Sequence, residues 1–257
     1  MKLQTRMVLA LLFFGVVTVF GYSQTLSIYC EENAPFQFTD ANKNLKGLSV
    51  ELVQAIQKRV GNTDPIEVAP WARGYGLIQS DSPNVVLFSM ARNKARNPLF
   101  QWVGPLTENN YALYSRADSK LSIKSLEDAK NVAKIGVVLN DVRDQFLTSA
   151  GFSNLDRSAD YVTSLKKMLN NRTDLVVLSV VGSSNQLADV EAKPSDVKQQ
   201  FVFLRAQLWI AFSKTTDKAI VQKWIDAFEA LKKDGTCDAI YKKYGEFLRP
   251  GVAVTTF

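Results

Sequence analysis

The spacing of hydrophobic positions switches repeatedly between two periods along the first third of the chain. Residues 25–30 alternate in the manner of a half-buried strand, and Val85 to Phe88 form a short apolar run typical of a buried strand. Leu48 to Arg59 instead carries apolar residues at helical spacing and stops at Gly61. The predicted elements of this region are strands at 25–30, 66–69 and 85–88 and helices at 48–59 and 72–79.

A second series of the same kind follows. Strands are predicted at 111–114, 134–138, 175–178 and 208–212, and helices at 125–130, 142–149, 163–170, 183–189, 217–234 and 236–244. Strands that alternate with helices indicate sheets covered by helices. The pattern therefore predicts two α/β series that end in a helical tail.

The N-terminus has the pattern of a secretory signal peptide. Lys2 and Arg6 precede an almost entirely apolar run from Met7 to Phe20, and small residues follow at Gly21 and Ser23. We expect cleavage after Ser23, with Gly21 as the alternative. No cysteine ends the run, so we expect a soluble periplasmic protein without a lipid anchor.

Composition removes several classes of function. The chain of 257 residues contains no histidine, which excludes histidine-dependent nucleophilic triads and histidine-based zinc sites. The net charge of +6 comes from scattered Lys and Arg residues interleaved with acids, which is typical of a solvated surface rather than a nucleic-acid interface. Cys30 and Cys237 are too few for a cysteine-rich zinc cluster; they either pair in an oxidising compartment or stay as buried free thiols. We expect no metal and no cofactor.

Six stretches resemble, in order, the solute-binding proteins of polar amino-acid ABC transporters (bacterial extracellular solute-binding proteins, family 3). They span nearly the whole chain after the N-terminal segment and are EENAPFQF (31–38), GLSVEL (47–52), PWARGYGLI (70–78), SMARNKARNPLFQWVGP (89–105), KIGVVLNDVRDQFL (134–147) and ALKKDGTCDAIYKKYG (230–245).

The resemblance implies a type II periplasmic-binding-protein fold, in which two α/β lobes are joined by two hinge crossings and enclose a central ligand cleft. Lobe 1 then takes residues 24–106 and 208–257, and residues 107–207 form lobe 2 with its flanking hinges. The hinges are expected near 106–110 and 204–207. This arrangement places both cysteines in one lobe.

The ligand expected from the resemblance is a small polar solute, most simply an amino acid. Arg96 aligns with the arginine that binds the ligand carboxylate, and a guanidinium can offer such a group two parallel N–H bonds. Trp71 aligns with the aromatic wall of the ligand slot, and Phe36 is a second aromatic candidate. Glu31 lies at the end of the first strand, where open α/β sheets bind ligands, and could accept from an amine. Ser89 is the fifth candidate ligand-binding residue of lobe 1.

Three positions in lobe 2 and one in lobe 1 depart from the family pattern. Asn140 and Asp141 replace a Gly-Thr pair that serves the carboxylate, and Asp141 is equally well explained as the N-cap of the next helix. Ser179 replaces an aspartate that commonly pairs with the ligand ammonium, and Ala91 replaces a hydroxyl residue. The ligand is therefore either an amino acid whose ammonium binds Glu31 or Asp141, or another polar solute.

By the same resemblance the chain is a monomeric binding protein and not an enzyme, and its membrane partner is an ABC-transporter permease. Lobe 1 would bind the ligand first, and lobe 2 would then close over it. Two alternatives remain open: a sensor that presents its closed form to a signalling receptor, and an enzyme on the same fold that would use Glu31 or Asp141 as acid or base.

Overall fold

A computed structural model of the protein describes residues 25–245 and 248–250. The predicted signal peptide and its cleavage site lie outside the described residues. Within those two ranges, no helix combines the length and apolar character needed to cross a membrane.

One eight-stranded sheet runs through the molecule in the order β4-β1-β5-β10-β6-β9-β7-β8, and β2 and β3 form a separate small hairpin. The strands are β1 (Ser27–Cys30), β2 (Phe38–Thr39), β3 (Leu45–Lys46), β4 (Ile66–Val68), β5 (Val85–Ala91), β6 (Phe100–Arg116), β7 (Ile135–Val138), β8 (Leu155–Ser158), β9 (Leu175–Ser179) and β10 (Val197–Ser213). Sequence analysis did not predict β2, β3 or β8, which are short and largely not buried.

Eight α-helices complete the described part of the fold. They are α1 (Leu48–Val60), α2 (Trp71–Gln79), α3 (Leu126–Lys130), α4 (Val142–Ser149), α5 (Tyr161–Leu169), α6 (Ser183–Ala188), α7 (Lys218–Lys233) and α8 (Thr236–Tyr244). The predicted boundaries hold best where a cap is visible in the sequence. Gly61 ends α1 in a left-handed conformation with φ of 73°, and Asp141 caps α4 as anticipated.

Two strands of 17 residues each, β6 and β10, are much longer than predicted. They pair antiparallel with each other from Phe100–Ser213 to Arg116–Val197. The sequence suggested strands only at 111–114 and 208–212, because the polar segment from Glu108 to Asn110 interrupts the apolar pattern of β6. Backbone hydrogen bonds to β10, rather than a hydrophobic face, keep this segment of β6 in a strand conformation.

The β6–β10 pair divides the sheet into two halves. The first half contains β1, β4 and β5, where β5 pairs with Leu208 to Phe212 of β10. The second half contains β7, β8 and β9, where β9 pairs with Tyr111 to Tyr114 of β6. Between these regions, residues 108–110 of β6 and 205–207 of β10 pair in the sheet register with each other and with no third strand. The predicted hinge segments fall on this stretch, and their role as hinges remains a prediction.

The cysteines lie in the hydrophobic core, and both are free. Burial raises the pKa of the Cys237 thiol to about 11 and raises that of Cys30 further, so neither is a ready thiolate. The alternative of two buried free thiols is the one that the structure shows.

Candidate functional site

The two halves face each other across the carboxyl ends of several strands. On the first half, Glu31 follows β1, Trp71 begins α2 after β4, and Arg96 follows β5. On the second half, Asn140 and Asp141 connect β7 to α4. Ligands of open α/β sheets bind at such strand ends, and the fold brings these five predicted site residues to one junction.

The Arg96 side chain makes hydrogen bonds and aromatic contacts in this junction, and only 1% of its surface is exposed. Its Nε donates to Gln145 Oε1 at 3.0 Å, its Nη1 to the Ala91 carbonyl at 3.3 Å and its Nη2 to the Asn140 carbonyl at 3.3 Å. The guanidinium also lies over the rings of Trp71 and Tyr75, 5.1 and 4.9 Å from their centroids. Arg96 therefore links both halves of the protein.

Trp71 is buried beside this arginine. Its ring stacks on Tyr75 with a centroid distance of 5.4 Å, and its Nε1 donates to the Asn140 carbonyl at 3.0 Å. A buried indole N–H needs such a partner. Trp71 thus contributes an aromatic wall to the junction and a hydrogen bond that crosses it.

The connection from β7 to α4 is tightly organised. Asn140 has a left-handed backbone with φ of 60°, which asparagine tolerates better than most residues. The buried Asp141 carboxylate accepts from the backbone N–H groups of Arg143 and Asp144 at 2.8 and 2.9 Å and forms an ion pair with the Arg143 guanidinium. Asp141 is therefore both a helix cap and a charged group of the junction.

Four charged groups, two acidic and two basic, interact across the junction. Burial raises the pKa of Glu31 to about 7; Arg143 and Arg96 oppose this rise, and Asp141 adds to it. Burial alone would lower the pKa of Arg143, but Asp141, Tyr111 and Glu31 raise it overall. The Arg143 guanidinium lies 5.2 Å from the centroid of the Tyr111 ring. Equal numbers of acids and arginines make this region suitable for a zwitterion.

The remaining predicted residues have structural partners. Phe36 is fully buried in the main hydrophobic core. Ser89, with φ of 58°, donates its hydroxyl to Gln37 Oε1 at 2.8 Å, whereas the buried Gln37 Nε2 has no partner among the described residues. Ser179 donates to Asn109 Oδ1 at 2.8 Å and accepts from the Gly182 N–H at 3.0 Å.

A cavity of about 370 Å³ opens beside Glu31 and Trp71, between the two halves. The first half contributes Glu31, Glu32 and residues 68–71, and the second half contributes residues 159–162, which include Asp160 and Tyr161. Its size is that of a small-molecule site, and its walls combine acidic, aromatic and aliphatic groups.

Sequence analysis did not single out Tyr75, Tyr111, Gln145 and Gly182 as parts of this junction. Tyr75 lies one helical turn after Trp71, so helical spacing could have indicated that it shares a face with the predicted aromatic wall. The other three lie on separate elements, and their contribution depends on tertiary packing. Within the described ranges, no group of three or more acids and cysteines is placed to hold a metal ion.

Comparison with known proteins identifies the family of this chain. The model of the bacterial extracellular solute-binding proteins, family 3, matches residues 26–247. A probable histidine-binding protein of Neisseria gonorrhoeae is 26% identical over 217 residues, which cover 83% of this chain and 80% of that protein.

Solved structures that share the fold include the following two. A histidine kinase sensor domain with similarity to periplasmic binding proteins gives a TM-score of 0.77 at 19% identity and covers 88% of this chain and 99% of its own. An ancestral arginine-binding protein bound to arginine gives a TM-score of 0.74 at 25% identity, with coverage of 86% and 97%. The predicted two-lobed α/β binding-protein fold is confirmed. With the family model matched over nearly all described residues, the chain belongs to the bacterial extracellular solute-binding proteins, family 3.

Proposed function

We propose that the protein binds an amino acid between its two halves and delivers it, by hinge closure in the periplasm, to the permease of an ABC transporter. The observation that carries this proposal is the set of two acids and two arginines at the junction, Glu31, Asp141, Arg96 and Arg143. A zwitterion is stable in a buried site only if both of its charges are matched there.

The binding mode follows from this distribution of charge. Arg96 and Arg143 offer planar donors to the α-carboxylate, and Glu31 offers an acceptor to the α-ammonium. Closure then depends on β6 and β10, with 106–110 and 204–207 as the hinge segments. The proposed lobes are 24–106 with 208–257, and 107–207; the position of the β6–β10 pair in the middle of the sheet supports this division.

The ligand side chain is proposed to be cationic. The cavity extends from Glu31 and Trp71 toward Glu32 and Asp160, so beyond the carboxylate assigned to the α-ammonium it offers two more beside an aromatic ring. A cation gains from the acids and from the ring face together. The relatives described as histidine-binding and arginine-binding support this choice.

A thermal-shift screen tests the function. Arginine, lysine or histidine is expected to raise the melting temperature, because a ligand of the native state adds about 2.7 kcal/mol at a hundredfold excess over its Kd. Citrulline is the matched control, since it keeps the shape of arginine without its charge. Equal shifts by arginine and citrulline would refute the cationic preference, and no shift by any amino acid would refute the function. Mass spectrometry of the recovered ligand excludes turnover if the ligand is unchanged.

Binding should depend on pH through Glu31. Because its pKa is about 7, Glu31 becomes protonated as the pH falls below that value and no longer attracts an ammonium group. Affinity for the amino acid is expected to fall by at most about tenfold per pH unit below pH 7. Calorimetry from pH 5 to 8 measures this slope. Glu31→Gln should flatten it, and Glu32→Gln, at the adjacent carboxylate, should leave it in place. An unchanged slope in Glu31→Gln would show that another group controls binding.

A sensory role is the second candidate, because a histidine kinase sensor domain has the same fold. In that case the closed form would contact a signalling receptor rather than a permease. Uptake of the labelled ligand by cells that lack the gene distinguishes the two: lost uptake supports transport, and normal uptake with a lost transcriptional response supports sensing.

A further inference from the structure

We infer that the backbone carbonyl of Asn140 is a latch that holds the two halves together through protein contacts alone. The inference rests on the proposed hinge closure, but it does not depend on the identity of the ligand. It predicts that the closed arrangement is substantially populated before any amino acid binds.

Three donors converge on this one oxygen. Trp71 Nε1 lies 3.0 Å away, Arg96 Nη2 3.3 Å and Gln145 Nε2 3.2 Å. The first two belong to the first half of the protein, and Gln145 belongs to the same half as Asn140. A carbonyl oxygen has two lone pairs, so three N–H groups saturate it. The convergence makes this atom the shared acceptor of the junction.

The acceptor is positioned by its own half. The Asn140 backbone is left-handed, with φ of 60°, and its N–H donates to Asp144 Oδ2 at 2.9 Å. Arg157 Nε in turn contacts both Asp144 oxygens at 2.9 and 3.1 Å. None of these stabilising contacts involves the first half. The backbone that carries this carbonyl is therefore held by contacts within its own half.

Burial of the two donors from the first half makes their hydrogen bonds to Asn140 costly to break. Trp71 is 5% exposed and Arg96 only 1%, so their N–H groups lie where a lost hydrogen bond is costly. Arg96 makes a second contact across the junction, to Gln145 Oε1. Opening the junction would break all of these bonds together. A ligand carboxylate that binds Arg96 would have to share the guanidinium with the Asn140 carbonyl or displace that carbonyl. The latch therefore also affects the affinity for the ligand.

Trp71→Phe tests the latch because it removes the N–H and keeps an aromatic ring. Small-angle scattering of the protein, stripped of bound amino acids by unfolding and refolding, gives the radius of gyration. We expect the radius of gyration of the wild type to match that of the closed structure and that of Trp71→Phe to be larger, since losing one buried hydrogen bond lowers the closed-to-open ratio by roughly fivefold. Trp102→Phe is the matched control: its indole N–H donates to the Asn97 carbonyl within the first half. It should behave as the wild type.

A second pair of variants acts on the acceptor. Asn140→Val should open the junction, because a β-branched residue does not tolerate the left-handed conformation, and Asn140→Gly should keep it closed. The latch is overturned if the stripped wild type is already as large as Trp71→Phe, or if Asn140→Val and Asn140→Gly have the same radius. Circular dichroism checks that each variant is folded. Because these measurements use no ligand, a failed latch is distinguishable from a failed binding function, which calorimetry reports separately.

Discussion

Replacing Arg96 by alanine is expected to abolish amino-acid binding and to lower the free energy of unfolding by about 2–4 kcal/mol. The binding loss follows from removing a planar donor to the carboxylate. The stability loss follows from the hydrogen bonds that Arg96 donates to Gln145 Oε1 and to the carbonyls of Ala91 and Asn140, of which the Asn140 carbonyl keeps its bonds from Trp71 and Gln145. Calorimetry with arginine and urea unfolding measure the two effects.

Two further variants separate shape from charge at this position. Arg96→Lys keeps the charge, but an ammonium cannot reach three acceptors in one plane, so we expect at least about a tenfold loss of affinity. Arg92→Ala is the control in the same basic run. Its guanidinium lies over Trp102 and Trp209 of the first half, and affinity should be unchanged. Wild-type affinity in Arg96→Ala would show that the carboxylate is bound elsewhere, for which Arg143 is the next candidate.

Gly182→Ala is expected to prevent full closure while leaving each half folded. A Cβ atom at Gly182, in the second half, would lie 2.3 Å from the carbonyl oxygen of Ala34, in the first half. Because the obstacle is backbone, no side-chain rotation relieves it, and the two halves must separate. The φ of Gly182 is −91°, so alanine causes no backbone strain of its own.

The expected consequence is a protein that binds weakly. Affinity falls in proportion to the fraction of closed protein, so we expect at least about a tenfold rise in Kd. The radius of gyration should stay above that of the wild type even with excess arginine. Gly76→Ala is the matched control, because an added Cβ on this exposed glycine of α2 meets no atom within 4 Å. If Gly182→Ala closes and binds as the wild type does, the Ala34–Gly182 contact does not limit closure.

Local signals explain why much of the fold could be predicted. The helix at 142–149 is bounded by an aspartate cap and a glycine, and its observed limits agree with the prediction. The long strands β6 and β10 could not be predicted in full. Their pairing joins residues about a hundred positions apart, such as Asn109 and Ala206, and polar residues occupy the crossing between the halves. A hydrophobic pattern carries no information about such a partner.

The candidate site could be predicted from the sequence only as a set of positions. Strand ends and the family resemblance pointed to Glu31, Trp71, Arg96 and Asp141, and the fold brings them together. Their partners were not predictable, because Arg96 reaches the Asn140 carbonyl across 44 positions of sequence. Whether a donor meets a ligand or a backbone carbonyl depends on how the two halves pack, which residue types alone do not specify.

The order of strands in the sheet also determines when each half can form during synthesis. The strands β7, β8 and β9 of the second half have all been made before β10 begins at Val197, and the first part of β10 then completes this half. The first half, by contrast, has β10 between β5 and β6, and it packs α7 and α8 against α1. It remains without a central strand and two helices until the end of the chain has been made. The strands of the second half are therefore synthesised together, whereas the segment that precedes them lacks β10, α7 and α8 until later in synthesis.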